Sequence, residues 1–334
     1  MTHPRRHPSA SARNAGKRHD PPPGEHSVLR ALGPGLVTGA ADDDPSGIAT
    51  YSQVGAQFGF GMGWTLVFGF PLLVSIQSIC ARIGLVTGKG IARNLAQHYP
   101  RWLLRIVVGL LLVANTINLG ANLGAMGAAL ALLIGGPVIA WSALFALICV
   151  AVEILTSYDR YARLLKWTTL SLFAYVAVVL VAGVPWGEAI RGALVPRFTF
   201  DAAHATALVA VLGTTISPYL FFWQAGQEVE EQHRRHVKPL CVSPRAAGSE
   251  LRRIRIDTLV GMGFSHLTAL FIVFATAATL HANGITQIET SAQAAEALRP
   301  IAGDLAFALF AIGIIGTGLL AVPVRAGSAA YARG

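Results

Sequence analysis

Gly39-Ala40-Ala41-Asp42-Asp43-Asp44-Pro45-Ser46-Gly47-Ile48 sets three carboxylates and a proline inside an otherwise apolar stretch. Pro45 has no backbone N–H, and its ring disfavours helical geometry at Asp44. A helix entering from Leu32 should stop there and restart near Gly47. Such a stop frees main-chain carbonyls beside a carboxylate, and in a bilayer irregular backbone survives only where it is buried in protein or lines a cavity. Two readings compete: a solvated turn ending a short helix, or a cation site inside an interrupted membrane helix.

Composition favours the second. Of 334 residues, 53% are hydrophobic and only 13% charged, with a mean hydropathy of +0.54, outside the range of soluble globular domains. The chain reads as an all-α polytopic membrane protein, since its apolar runs are long and continuous where a β-barrel needs short alternating ones. The 35 glycines suit helices that pack through small residues. Cys80, Cys149 and Cys241 are too few and too scattered for a disulfide framework.

Residues 1–28, rich in Pro, His, Arg and Ser, form a mobile tail with no secretory signal. The first apolar stretch, 29–41, is too short for the roughly 20 residues of a spanning helix and crosses only by continuing through Asp44-Pro45 to residue 58. Further spans follow at 63–85, a hairpin within 106–152 turning at Gly135-Gly136-Pro137, and 165–184. The last three are 202–227, 256–280 and 305–321, which makes about eight. With the N-terminus inside, only Arg191, Arg197 and Arg299 of the 26 Lys and Arg residues fall in outer loops. That bias predicts a multi-pass protein of the cell (inner) membrane with a cytoplasmic N-terminus. The net charge of +9 thus reports topology, and no nucleic-acid partner is expected. Arg325, near the end of an apolar run, fits its span poorly.

Spans one and six lie five apart, face opposite ways, and each carries a proline interruption, at Asp44-Pro45 and Ser217-Pro218. Paired interruptions in two inverted halves point to a transporter's central site. An acid at membrane depth is a functional candidate by default, which makes Asp44 the first metal ligand, with Asp42 and Asp43 beside it to attract cations or line the outer vestibule. Ser217 and Tyr219 lie opposite. Ser217, with Thr214 and Thr215, can instead satisfy freed backbone groups. Asn115, Asn118 and Asn122 fall on one helical face and either line the ion path or bond neighbouring helices. Gly120 and Gly124 read as a close-packing pair, and the lone His266 as a structural histidine. Nothing suits nucleophilic catalysis or a zinc site, so no enzyme, no catalytic residue and no cofactor is expected.

Gly33-Pro34-Gly35, Asp44-Pro45-Ser46-Gly47, the run from Arg82 to Thr87-Gly88-Lys89, and Ile216-Ser217-Pro218-Tyr219 resemble the natural resistance-associated macrophage protein (Nramp) divalent-metal transporters, from about Leu32 to the C-terminus. The resemblance implies a leucine-transporter-type fold, two inverted five-helix repeats with metal bound where spans one and six break. It divides the chain into a first repeat at 29–184 and a partial second at 185–334. It also implies a C-terminal truncation, because five plus five needs at least ten spans. The family's asparagine, methionine and histidine positions hold Gly47, Ser217 and Tyr219. The implied metal set is therefore Asp44, Gly47, Ser217 and Tyr219, joined by Asp43 and Asn122. Without a thioether the site is oxygen-lined and suits a hard, partly hydrated ion. The pattern is most similar to the Nramp-related magnesium transporter branch: Mg²⁺ first, Mn²⁺ second, moved by alternating access without proton coupling. The alternatives are a proton-coupled Mn²⁺/Fe²⁺ transporter and an organic-solute or amino-acid symporter of the same fold. Oligomeric state is not readable.

Overall fold

The computed structural model describes residues 33–155, 165, 168–197, 199–244 and 247–332. The 1–28 tail lies outside them. Twelve α-helices occur among the described residues: α1 (Pro34–Asp42), α2 (Pro45–Phe58), α3 (Trp64–Thr87), α4 (Ile91–His98), α5 (Arg101–Ile134), α6 (Val138–Leu155), α7 (Phe173–Val181), α8 (Trp186–Leu194), α9 (Ala202–Thr215), α10 (Pro218–Arg234), α11 (Ala247–Thr279) and α12 (Ser291–Tyr331).

Six helical segments among these residues are long and apolar enough to cross a membrane: Trp64–Thr87, Arg101–Ile134, Val138–Leu155, Ala202–Arg234, Ala247–Asn283 and Ser291–Tyr331. The apolar helix Thr169–Val181 is shorter. Large apolar side chains such as Leu110, Ile117, Ile139 and Leu147 stand exposed on α5 and α6. In water such a surface would be a liability, whereas lipid tails are as apolar as leucine.

Proline geometry sets where two pairs of helices meet. α1 ends at Asp42 and α2 begins at Pro45, whose missing N–H costs nothing in a first turn. Asp44 caps α2, its carboxylate accepting the Gly47 amide. α9 likewise ends at Thr215 and α10 begins at Pro218. Asp201 caps the far end of α9, and the bonds it accepts from the His204 backbone and ring hold its carboxyl below the usual carboxylate range.

α1 and α11 are nearly fused. A Cβ on Gly39 would lie 2.2 Å from the Gly261 carbonyl oxygen, and one on Gly261 would lie 2.1 Å from that of Gly35. Glycine is thus required on both helices. Asp257 of α11 completes the joint, accepting the amides of Gly33 (2.8 Å), Gly35 (2.8 Å) and Leu36 (3.2 Å) at the open start of α1. Gly120 and Gly124, by contrast, have nothing within 4 Å of a Cβ, so the close-packing reading of that pair is wrong.

α12 is longer than the 305–321 span read from hydropathy. Gly303 (φ 85°, ψ 173°) separates an initial segment, started by a Thr290–Gln293 capping box, from a second one that runs on to Tyr331. Arg325 therefore lies inside a helix against α5 and α10, not beyond its end.

Candidate metal site

Asp42, Asp43 and Asp44 are all buried, at 1%, 0% and 1% exposure. Their surroundings differ. The Asp44 carboxylate is saturated: it accepts the Ser46 hydroxyl (2.8 Å), the Gly47 amide (2.9 Å), the Asn122 side-chain amide (2.9 Å) and the Arg325 guanidinium. Asp42 accepts one bond, from Ser265 of α11 (3.1 Å), and its other oxygen has no partner. Neither oxygen of Asp43 has one.

Arg325 is itself enclosed, 4% exposed, with its guanidinium carbon 3.9 Å from the centre of the Tyr219 ring. Such stacking favours a cation most where water is excluded. Asn115 donates to the Arg325 carbonyl (3.2 Å). Asn115 and Asn122 thus both serve the site, one on each partner of the ion pair. Asn118, half-buried, donates instead to the Ala114 carbonyl of its own helix (3.0 Å), so the three amides do not act together.

The other sequence-derived candidates bond the backbone around the interruptions. Tyr219 donates its hydroxyl to the Ala41 carbonyl (2.7 Å), tying α10 to the last turn of α1. Ser217 donates to the Thr214 carbonyl (2.8 Å) and Thr215 to that of Val211 (2.9 Å), uses that need no substrate. Gly47 presents its amide to Asp44, the face of a peptide group that cannot ligate a cation. His266 is buried against Phe70 with both ring nitrogens unpartnered.

The sequence reading missed Arg325 and Ser265 as partners of these carboxylates. An intramembrane arginine is as strong a signal as an intramembrane aspartate, but Arg325 stands near the end of an apolar run and past the 305–321 span that hydropathy marks.

A cavity of about 920 Å³ reaches the site. Its walls include Pro45, Ser46, Thr50 and Gln53 of α2, Gly124 of α5 and Thr206 of α9. It runs beside the first residues of α9 and α12. The opposite face is closed by a polar chain. Thr38 donates to Gln224 (2.5 Å), Gln224 to Glu228 (3.3 Å), and Arg253 to both Glu228 (2.5 Å) and Glu250 (3.0 Å). Arg235 adds a two-pronged pair with Glu250.

Among the described residues no three acidic, His or Cys side chains converge on one point.

A family model described as natural resistance-associated macrophage protein-like matches residues 35–333. The divalent metal cation transporter MntH of Aeromonas hydrophila is 24% identical over 308 residues, covering 89% of this chain and 71% of that protein. Its counterpart in Deinococcus radiodurans is 26% identical over 315 residues, covering 89% of this chain and 67% of that protein. The chain thus spans about two thirds of the length of these relatives. A crystal structure of the Eremococcus coleocola manganese transporter, bound to an aromatic bis-isothiourea substituted compound, superposes with a TM-score of 0.72 at 17% identity. That superposition covers 93% of this chain and 67% of the other, and speaks to the fold.

Proposed function

The chain belongs to the natural resistance-associated macrophage protein-like family, and on that premise we propose that it carries divalent cations across a membrane by alternating access. Mg²⁺ is the favoured cargo and Mn²⁺ the second, and entry is not coupled to protons. The proposed frame is a cytoplasmic N-terminus in the cell (inner) membrane, with about eight spans in two inverted halves, 29–184 and 185–334.

The observation that carries the reading is a cavity lined by Pro45 and Ser46, next in sequence to three buried carboxylates, with the Glu228–Arg253 pair bonded at the other end of α10. That is the arrangement of a carrier open to one side. The positions that hold methionine and histidine in the resembling family are Ser217 and Tyr219 here, so the second interruption offers oxygen in place of thioether and imidazole. A hard ion is favoured by such donors. Absence of an acid on α5 and of histidine at Tyr219 supports the uncoupled form.

A second reading keeps the fold and makes Mn²⁺ the cargo. It is favoured by the descriptions of the relatives as divalent metal cation and manganese transporters. An amino-acid symporter is disfavoured, because the three carboxylates repel a substrate carboxylate and Asp44 already meets the charge of Arg325.

Liposomes loaded with Mg²⁺ and Mn²⁺ indicators separate these readings. Wild-type protein should admit Mg²⁺ ahead of Mn²⁺ without acidifying the lumen, and Asp44→Asn, which leaves Arg325 uncompensated, should admit neither. Mn²⁺ entry with no Mg²⁺ entry supports the second reading. Acidification that tracks metal entry sinks the uncoupled form, and amino-acid uptake without metal entry sinks the whole proposal.

A further inference from the structure

Asp44, the acid at the first interruption, has no lone pair left to offer. A carboxylate presents about four acceptor sites, and Ser46, Gly47, Asn122 and Arg325 already donate to this one. A cation that is to rest on Asp44 must therefore displace a donor. The Gly47 amide is fixed in the first turn of α2. Ser46 and Asn122 are neutral, and each carries an oxygen able to face a cation; the Oδ1 of Asn122 is buried without a partner. Arg325 has no such alternative. Its guanidinium is donor-only and permanently charged, and a metal ion on the same carboxylate would repel it strongly where water is excluded. Arg325 is the donor that has to leave.

Its surroundings let it leave without being stranded. The Tyr219 ring, whose centre lies 3.9 Å from the guanidinium carbon, holds the charge independently of Asp44. Asp42, within electrostatic reach of Arg325, keeps one oxygen that has no partner. A buried charge needs such company, since an unpaired one is strongly destabilising.

We propose that Arg325 is a tethered competitor for the Asp44 carboxylate, and thereby a specificity-determining residue that yields its place only to a cation of higher charge. This rests on the cation-transport reading above. A monovalent ion that takes the place of the guanidinium brings no more charge than it removes, and the charge-assisted hydrogen bond is lost besides. A divalent ion brings twice the charge to the same carboxylate, and the gain in attraction offsets the displaced bond. The arginine thus neutralises Asp44 inside the membrane and excludes Na⁺ and K⁺ from it.

The test is Mn²⁺ binding to the purified full-length chain in detergent, followed through the free-ion electron paramagnetic resonance signal, with either Na⁺ or choline as the background cation. Arg325→Leu removes the charge and supplies no ligand of its own. It should bind Mn²⁺ about 10–100-fold more tightly than wild type, because no charge-assisted bond has to be broken first. Adding Asp44→Asn should abolish that gain. Na⁺ in place of choline should leave wild-type binding unchanged and weaken binding to Arg325→Leu severalfold, a response that an arginine acting only through packing would not produce. If wild type binds Mn²⁺ and Arg325→Leu binds it no more tightly, or if Na⁺ affects the two proteins alike, the proposal is overturned. Should Arg325→Leu unfold in metal-free detergent, its thermal unfolding is followed with added Mn²⁺. The ion takes over the charge that Arg325 supplied and should restore the fold, whereas a variant that stays unfolded at saturating Mn²⁺ overturns the proposal. If neither folded wild type nor folded Arg325→Leu binds Mn²⁺, the cation-transport reading itself fails, an outcome distinct from the others.

Discussion

Arg325 and Asp44 sit 281 positions apart in sequence and share a buried ion pair. Desolvating two charges costs several kcal/mol per ion, offset here by a charge-assisted bond, the Tyr219 ring and the amide of Asn122. Arg325→Met should therefore destabilise the protein by about 3–5 kcal/mol, because it strands the Asp44 carboxylate. Adding Asp44→Asn to that variant should restore most of the loss, for a neutral pair of similar volume is tolerated far better than half a salt bridge. Chemical denaturation of the two variants in detergent micelles checks this; equal destabilisation of single and double variants would show that Arg325 acts through packing alone. Asp44 was legible because Pro45, its immediate neighbour, dictates a helix start and makes the preceding residue a cap. Arg325 was not, because its meaning depends on a partner in a distant segment, and a lone Arg near the end of an apolar run looks like a topology signal. The same locality explains Tyr219, Ser217 and Gly47. Their positions next to Pro218 and Pro45 were visible, but which atom each one offers depends on the path of the neighbouring backbone.

At the scale of elements, glycine spacing shows how a sequence signal can be real and still ambiguous. Gly35 and Gly39 on α1 have the same small-xxx-small spacing as Gly120 and Gly124 on α5. Only the first pair meets another helix. Backbone contact with α11 gives α1 its close packing in a bilayer, where burial of apolar surface adds little drive between helices. Gly39→Ala should accordingly cost about 1–3 kcal/mol through overpacking against Gly261. Gly120→Ala, with open space around it, should leave stability unchanged or raise it slightly through better helix propensity. Thermal unfolding of the two variants side by side decides the matter, and similar losses in both would refute a specific α1–α11 seam. The long apolar helices themselves were readable from composition, since their period and length are local properties. Where α12 ends was not, because hydropathy stops counting at Arg325 while the helix continues behind the ion pair.

For the whole molecule, the cavity and the polar chain lie on opposite sides of the carboxylates, and the balance between them sets which side is open. Arg253 is the hub of the closed side, bonding Glu228 of α10 and Glu250 of its own helix. Asp257, one turn further along, holds the start of α1. Loss of Arg253 should loosen α10 from α11 at this face while leaving the α1–α11 seam in place, which shifts the population toward a form open at the basic face and closed at the cavity. A cysteine in the cavity wall reports that shift. Thr50→Cys, made with the exposed Cys241 replaced by serine, should react readily with a membrane-impermeant maleimide added from the cavity side. Adding Arg253→Gln should slow that reaction about tenfold, the change that a shift of about 1.4 kcal/mol between the two forms produces. If Arg253→Gln labels as fast as its parent, the Glu228–Arg253–Glu250 chain is a surface ornament of the fold, and closure of that face must be assigned to the packing of α1 against α11 instead.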